Sequence, residues 1–147
     1  MKNTKLPKLL IIVGPTTSHN TRFGVEIANQ FNGEIINADA FQVYADMDIG
    51  TNAPTKKELK QAKFHLNQFL KLTDSWDIKK FQTLAYKTIN DLLKKKKLPI
   101  IIGGSNLYVD ALINNYDLSN CVRTEEFENW TSEQLYKELH SLSKYDA

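Results

Sequence analysis

A short apolar run, Lys8-Leu9-Leu10-Ile11-Ile12-Val13, leads directly into the polar stretch Gly14-Pro15-Thr16-Thr17-Ser18-His19-Asn20-Thr21. Continuous apolar residues that stop at a Gly-Pro pair are typical of a strand buried on both faces, as in parallel sheets. From Thr21 the apolar residues recur at intervals of three and four, which predicts an amphipathic helix that stops at Asn32-Gly33. The buried face of that helix is expected to be Phe23, Ile27, Ala28 and Phe31.

The rest of the chain continues this alternation of strands and helices. Residues 34–38 and 98–102 are predicted to form two further short apolar strands. Thr55 and Glu58 have the spacing of a capping box, and Asp77 is a candidate N-cap for a longer helix. The buried stripe of that longer helix is expected to be Ile78, Phe81, Ala85, Ile89 and Leu92. Helices over residues 106–113 and 131–142 complete a predicted α/β fold with a parallel sheet flanked by helices.

Composition limits the function without naming it. The 147 residues are 41% hydrophobic and 24% charged, which indicates a folded globular chain. A net charge of +2 does not indicate a nucleic-acid-binding class, since Arg22 and Arg123 are the only arginines. The single cysteine, Cys121, fits a reducing compartment, and the apolar runs are too short to span a membrane. A cytoplasmic location without a membrane contact is therefore expected.

Three polar segments follow directly on the three predicted strands. They are residues 14–21, residues 39–44 and Gly103-Gly104-Ser105. In open parallel sheets, ligands bind beyond the carboxyl ends of the strands. We therefore expect the three segments to line one cleft at one edge of the sheet.

The first segment has the position of a phosphate-binding P-loop, G-x-x-x-x-G-K-[ST], between a strand and a helix. Gly14 and Thr21 keep their places in that pattern, but His19 replaces the second glycine and Asn20 replaces the lysine. Backbone amides at a helix N-terminus still attract an anion. Loss of a charged hydrogen bond weakens binding by about 1.5–3 kcal/mol. The structural alternative is an ordinary Ser/Thr-rich loop that caps a helix.

The other two segments also have a functional and a structural interpretation. Asp39 could accept a proton or order a metal ion, or it could simply be a helix N-cap or form an Asx turn. Gly103-Gly104 allows close approach of a ligand to the backbone, and Ser105 adds a hydroxyl. The alternative for Gly103-Gly104-Ser105 is a tight turn from strand to helix. Lone His65 is expected to be structural.

Taken together, the motifs resemble the tRNA dimethylallyltransferase (isopentenyl-tRNA transferase) family. The resemblance is carried by Gly14-Pro15-Thr16-Thr17-Ser18, Gly33-Glu34-Ile35-Ile36-Asn37-Ala38-Asp39, Gln42-Val43-Tyr44, Met47-Asp48-Ile49-Gly50-Thr51, His65-Leu66, Phe81-Gln82 and residues 98–108. These motifs keep their order and spacing over about residues 8–113. The resemblance implies a P-loop NTPase-like sheet, which here stops after the third predicted strand.

The resemblance also implies a reaction and roles for individual residues. The family transfers a dimethylallyl group from its diphosphate to the exocyclic amine of the adenosine 3′ to the tRNA anticodon. Asp39 would be the general base, and Ser105 would assist at the reacting end. The diphosphate, or a nucleotide such as ATP, would lie against Gly14, Pro15, Thr16, Thr17, Ser18, His19, Asn20 and Thr21. Thr21 would be near Mg²⁺. The segment expected to contact tRNA is Asp39, Ala40, Phe41, Gln42, Val43 and Tyr44.

Two departures from the family pattern lead us to expect reduced or lost activity. One is the replacement at His19 and Asn20, and the other is length, since family members are considerably longer. We expect a core over residues 1–123, a partial helical segment over residues 124–147, and an apolar sheet edge at the first strand. A binding module that needs a partner chain to complete its sheet is one alternative. A small P-loop kinase is another, and the missing lysine speaks against it.

Overall fold

The computed structural model describes residues 8–14, 19–118 and 127–142. The chain divides into two compact units, Met1–Tyr116 and Asp117–Ala147, and each is described by itself. The boundary predicted between residues 123 and 124 lies outside the described residues and stays a prediction. In the described ranges, no helix combines the length and the apolar character needed to cross a membrane.

The larger unit alternates strands and helices, as the sequence predicts. Its elements are β1 (Leu10–Ile12), α1 (Asn20–Gln30), β2 (Gly33–Asn37), α2 (Lys56–Gln61), β3 (Phe64–His65), α3 (Ile78–Lys94), β4 (Leu98–Ile102) and α4 (Asn106–Ile113). The smaller unit contains α5 (Ser132–Leu142). Two predicted caps are present. The Thr55 and Glu58 side chains form a reciprocal capping box, and the Asp77 carboxylate accepts a hydrogen bond from the Lys80 N–H at 2.8 Å.

The strands of the described region form one parallel sheet in the order β1-β4-β2-β3. This arrangement confirms the predicted α/β class with helices flanking a parallel sheet. Strand β3 was not predicted, because two residues are too few to show a period of two. It is defined by pairing with β2, where Ile35 lies opposite Phe64 and Ile36 opposite His65.

Strand β1 lies at one edge of the sheet and, among the described residues, pairs with β4 alone. Leu9 and Val13, which flank it, are 41% and 56% exposed. The first strand is therefore an apolar sheet edge, as expected.

Helices pack on both faces of the sheet and make two apolar clusters. On one face, Ile36 and Ile101 pack with the stripe of α3, whose residues Phe81, Ala85, Ile89 and Leu92 are buried as predicted. On the other face, Ile35 and Ile100 pack with Val25 and Ala28 of α1. The carboxyl ends of the central strands β4 and β2 are held between these two layers.

The buried face predicted for α1 was wrong for its two phenylalanines. Phe23 and Phe31 are 55% and 58% exposed, whereas Gly24, Val25 and Ala28 are buried. The helix approaches the sheet through Gly24, where a Cβ would lie 1.9 Å from Cδ1 of Ile102. A prediction of the buried face from large apolar side chains does not identify a contact made by a glycine.

Candidate functional site

A cleft of about 420 Å³ opens at the carboxyl ends of β1, β2 and β4. Residues from all three of the polar segments identified in the sequence line it. They are Gly14, His19, Asn20 and Thr21 after β1, Asp39 and Gln42 after β2, and Gly103 and Gly104 after β4. The parallel sheet explains this convergence, because the carboxyl ends of parallel strands meet at the same edge.

Asp39 uses one carboxylate oxygen to organise its own loop. Its Oδ1 accepts hydrogen bonds from the backbone N–H of Phe41 at 2.9 Å and of Gln42 at 3.2 Å. The Asx-type turn proposed as the structural alternative is therefore present. The other oxygen, Oδ2, lies beside Gly104, 3.6 Å from the point that a Cβ of Gly104 would occupy. Gly104 and Asp39 both line the cleft. The Asp39 carboxylate therefore stabilises the turn through Oδ1 and also belongs to the cleft wall.

The turn after β4 packs tightly against the end of β2. A Cβ on Gly103 would lie 2.2 Å from the carbonyl oxygen of Ala38, so no side chain fits there. The N–H of Ser105 donates to the same carbonyl at 3.3 Å, and Oγ of Ser105 accepts from the N–H of Ala40 at 3.0 Å. Ser105 is not among the residues that line the cleft. Its hydroxyl holds the segment that carries Asp39, and its predicted catalytic role stays a prediction.

The segment predicted to contact tRNA is well ordered by hydrogen bonds and presents its side chains in different directions. Gln42 lines the cleft, and its Nε2 donates to the carbonyl of Thr51 at 3.1 Å. Phe41 is 63% exposed, whereas the side chain of Val43 is fully buried and packs inside the unit. The Tyr44 hydroxyl donates to the carbonyl of Asp74 at 3.3 Å. A contact with RNA would therefore come from the neighbours of Val43.

The loop after β1 departs from a phosphate loop in its details. His19 has φ 59° and ψ 27°, a left-handed conformation that glycine adopts without strain and an L-residue does not. His19 precedes α1, and no side-chain hydrogen bond caps the helix there. Nδ2 of Asn20 donates to the carbonyl of Gly14 at 3.3 Å, which links the two described ends of this segment. Pro15, Thr16, Thr17 and Ser18 lie outside the described residues.

The oxygen donors of the cleft are compatible with Mg²⁺ that is held mainly by a ligand. No group of three His, Cys, Asp or Glu side chains in the described ranges could hold a metal ion alone. Mg²⁺ in phosphate sites uses one or two protein oxygens and completes its shell with water and phosphate. The Thr21 hydroxyl and the Asp39 carboxylate both line the cleft and are donors of this kind.

Several cleft residues were not predicted from the sequence to belong to the site. Arg22, Asn37, residues 51–55 and Glu58 all line the cleft. Buried Asn37 donates through Nδ2 to the carbonyl of Leu66 at 3.2 Å and thereby ties β2 to the residue after β3. For Asn37 and Thr51 the motifs quoted above contain the signal. Arg22 could have been predicted to line the cleft because it directly follows Thr21.

A charged cluster outside the cleft fastens β3 to the sheet. Glu34 is buried, and its carboxylate contacts Nζ of Lys97 at 2.6 Å and Nε2 of His65 at 2.6 Å. Burial alone would raise the pKa of Glu34, but the hydrogen bonds from Lys97 and His65 and the charges of Lys63 and Lys97 outweigh it and lower that pKa. His65 therefore has a structural contact, as expected.

Comparison with known proteins places the chain in a family. Residues 42–147 match the family model described as IPP transferase. The chain belongs to the IPP transferase family. Its resemblance to tRNA dimethylallyltransferases, inferred above from the motifs, is confirmed by relatives that carry this name. The tRNA dimethylallyltransferase of Oceanobacillus iheyensis is 40% identical over 147 residues, and that of Anoxybacillus flavithermus is 35% identical over 144 residues.

Solved structures show the same fold. The full-length tRNA isopentenylpyrophosphate transferase of Bacillus halodurans superposes with a TM-score of 0.75 at 31% identity, covering 95% of this chain. A eukaryotic dimethylallyltransferase acting on tRNA gives a TM-score of 0.79 at 26% identity, covering 92% of this chain. The P-loop NTPase-like fold of the IPP transferases is thereby confirmed. The chain spans 46–47% of those two curated relatives, 49% of the first structure and 36% of the second.

Proposed function

We propose that the cleft binds dimethylallyl diphosphate and an adenosine base, and that the chain transfers the dimethylallyl group to tRNA at a reduced rate. The acceptor is the exocyclic amine of the adenosine 3′ to the anticodon. The observation that carries this proposal is that Asp39, Gly14 and residues 19–21 line one cleft in a member of the IPP transferase family. A base and a phosphate-binding loop are then within reach of the same small ligand.

The chemical step needs a proton acceptor beside the attacking nitrogen. A carbon–nitrogen bond forms between the adenine amine and the allylic carbon, the carbon–oxygen bond to the diphosphate breaks, and one N–H proton leaves the amine. Oδ1 of Asp39 already accepts two backbone N–H groups, so Oδ2, beside Gly104, is the oxygen proposed to take that proton. A positioned carboxylate base contributes about 10²–10⁴ to such a rate.

The leaving diphosphate needs its charge neutralised. The first backbone N–H groups of α1 point to the cleft end of the helix and attract an anion. Bound Mg²⁺ would neutralise part of the diphosphate charge, with the Thr21 hydroxyl and phosphate oxygens as its proposed ligands. Asn20 brings no positive charge where the family pattern has lysine, and this is the reason for the reduced rate.

The tRNA base has to leave its stack to reach Asp39. Enzymes that modify a base pay a few kcal/mol to extrude it and then hold it by stacking and hydrogen bonds. Phe41 is exposed two residues after Asp39 and offers an aromatic face for this purpose. Gln42 lines the cleft itself and offers an amide to a base edge.

The direct test is prenyl transfer by the purified chain to an anticodon stem-loop RNA. The reaction contains dimethylallyl diphosphate and Mg²⁺, and mass spectrometry measures the modified adenosine. We expect product at a rate about 10²–10³ below that of a full-length relative. An equal rate would contradict the reduced activity. No product together with no binding of diphosphate would contradict the assignment itself.

A second test addresses the loop. Substituting His19→Gly together with Asn20→Lys restores the phosphate-loop pattern and should raise the affinity for inorganic diphosphate about 10–100-fold. The matched control is Asn90→Lys, which adds the same charge to the exposed side of α3, away from the cleft. An unchanged affinity in the double variant would show that the loop is not the weak element.

A second candidate function is a non-catalytic binding module completed by a partner chain. The observation in its favour is that β1, among the described residues, pairs with β4 alone and is flanked by exposed Leu9 and Val13, since such sheet edges pair readily with another strand. Size-exclusion chromatography with light scattering and thermal unfolding distinguish the two candidates. A monodisperse monomer that unfolds cooperatively speaks against the module.

A further inference from the structure

We propose that Arg22 supplies the positive charge that the phosphate loop lacks at Asn20. This inference rests on the proposed function, because it concerns the diphosphate site of the same cleft. Arg22 lies one residue after Thr21, within the first turn of α1, and lines the cleft. Neither the motif pattern nor the family resemblance assigns it a role.

The charge balance of the cleft singles out this side chain. The amide of Asn20, in the place of the lysine, donates to the carbonyl of Gly14. Among the described residues that line the cleft, Arg22 is the only lysine or arginine. The two acidic side chains of the cleft, Asp39 and Glu58, would both repel a diphosphate. Arg22 is therefore the permanently charged cation that would neutralise a bound diphosphate.

The two acidic groups already have hydrogen-bond donors of their own. Oδ1 of Asp39 accepts from two backbone N–H groups, and Oε2 of Glu58 accepts from Thr55 N at 2.8 Å and Thr55 Oγ1 at 2.6 Å. These contacts hold the carboxylates in their turn and capping box. Arg22 is therefore not needed as a partner for either of them.

The position of Arg22 does not favour the helix itself. A cation in the first turn opposes the helix dipole, and α1 has no acidic residue in that turn to compensate. The pair that Arg22 makes with Glu26, Nε to Oε1 at 3.2 Å, is exposed and has the less favourable order for an i,i+4 pair. Helix stability thus gives no reason for an arginine here, whereas an anion at the helix N-terminus does.

The chemistry of the guanidinium suits this task. Its planar fork of N–H donors matches two phosphate oxygens, whereas a lysine is a single point charge. The side chain is 75% exposed and long, so it is free to turn from Glu26 towards an anion at the end of α1. The helix amides and the guanidinium would then bind the same diphosphate from adjacent positions.

Titration calorimetry with inorganic diphosphate at low salt tests the inference on the whole chain. We expect Arg22→Gln to weaken binding about tenfold or more, and Arg22→Lys to retain part of the affinity. Glu26→Gln releases the guanidinium and should strengthen binding a few-fold. The matched control, Lys87→Gln, removes the same charge from the exposed side of α3 and should leave binding within about twofold.

The outcomes separate this inference from the proposed function. Diphosphate binding that is the same in Arg22→Gln and in the unaltered chain overturns the role of Arg22 and leaves the proposed function standing. An equal loss in Lys87→Gln also overturns it, because net charge would then explain the effect. If the unaltered chain binds no diphosphate, both proposals fail. Thermal unfolding of each variant shows that it is folded, and Arg22→Gln should be at least as stable as the unaltered chain.

Discussion

The two sides of the cleft differ in how firmly packing and hydrogen bonds hold them. On the side of β2 and β4, Gly103 packs against the carbonyl of Ala38, Ser105 holds Ala40, and Asp39 is fixed by two backbone N–H groups. On the side of β1 and α1, His19 is in a left-handed conformation and α1 begins without a side-chain cap. The side proposed to carry the base is closely packed, and the side proposed to bind the phosphates departs from the phosphate-loop pattern at His19 and Asn20.

If the chain carries out the proposed reaction, this difference predicts that the phosphate side limits it. Hydrogen bonds and close packing preserve the position of a carboxylate even when its neighbour across the cleft has changed. Charge neutralisation of a diphosphate instead depends on a few cations, and Asn20 stands where the phosphate-loop pattern has a lysine. The following substitutions test the two sides of the cleft and the charged cluster that fastens β3 to the sheet, from the largest expected effect to the smallest.

The largest effect is expected at Asp39. Asp39→Asn keeps an oxygen that can accept from Phe41 and Gln42 but cannot take a proton, so prenyl transfer should fall by about 10²–10⁴. Diphosphate affinity should not fall, because the substitution removes a negative charge from the cleft and leaves the phosphate site proposed at α1 unaltered. Transfer rates by mass spectrometry and binding by calorimetry check this. A rate equal to that of the unaltered chain would remove Asp39 from the mechanism.

The second prediction concerns Glu34, whose charged cluster fastens β3 to the sheet. Glu34→Gln removes a buried carboxylate that accepts from Lys97 and His65, and should lower the free energy of unfolding by about 1.5–3 kcal/mol at neutral pH. Because the pKa of Glu34 is lowered in the folded chain, its contribution is complete above the pKa of the unfolded carboxyl. It is lost as the pH falls through the lower pKa of the folded state.

Urea unfolding between neutral and acid pH measures this contribution. The difference between the unaltered chain and Glu34→Gln should shrink as the pH falls. The control is Asp91→Asn, an exposed carboxyl on α3, which should change stability by no more than about 0.5 kcal/mol. A difference that does not depend on pH would mean that the carboxylate is not the stabilising group.

A third prediction tests the close packing at the turn after β4. Gly103→Ala places a methyl group 2.2 Å from the carbonyl oxygen of Ala38, and overpacking of this kind costs about 1–3 kcal/mol. Gly104→Ala is the matched control, because its nearest contact is the Asp39 carboxylate at an ordinary 3.6 Å. Thermal unfolding of the two variants should differ clearly. Equal stability would mean that the two backbones can separate without loss.

Local signals in the sequence predicted much of this fold, and long-range contacts account for what was missed. The caps at Thr55 and Asp77 and the stripe of α3 depend on residues three or four positions apart, which a sequence displays directly. Strand β3 exists through its pairing with β2, and α1 faces the sheet through Gly24. Neither contact has a period along the chain.

The candidate site shows the same division. Ligands bind beyond the carboxyl ends of parallel strands, and this rule alone predicted that Asp39, Gly104 and the two described ends of the loop after β1 line one cleft. The wall formed by residues 51–55 and Glu58 could not be placed, because Gln42 ties it down through hydrogen bonds to Thr51 and Asn52 that no short motif describes. The direction of the Ser105 hydroxyl likewise depends on a contact with Ala40, 65 residues away.

The smallest effect is expected from His19, and it separates strain from binding. The left-handed conformation of His19 costs about 1–2 kcal/mol, and His19→Gly removes this strain. The glycine also increases the conformational entropy of the unfolded chain, so the net gain in stability should be at most about 1 kcal/mol. Lys96→Gly is the matched control, because Lys96 has φ 56° in the turn before β4, away from the cleft. Both should gain stability in thermal unfolding, and diphosphate affinity should change only for His19→Gly. An equal change in affinity for Lys96→Gly would mean that stability, and not the shape of the phosphate side, governs binding.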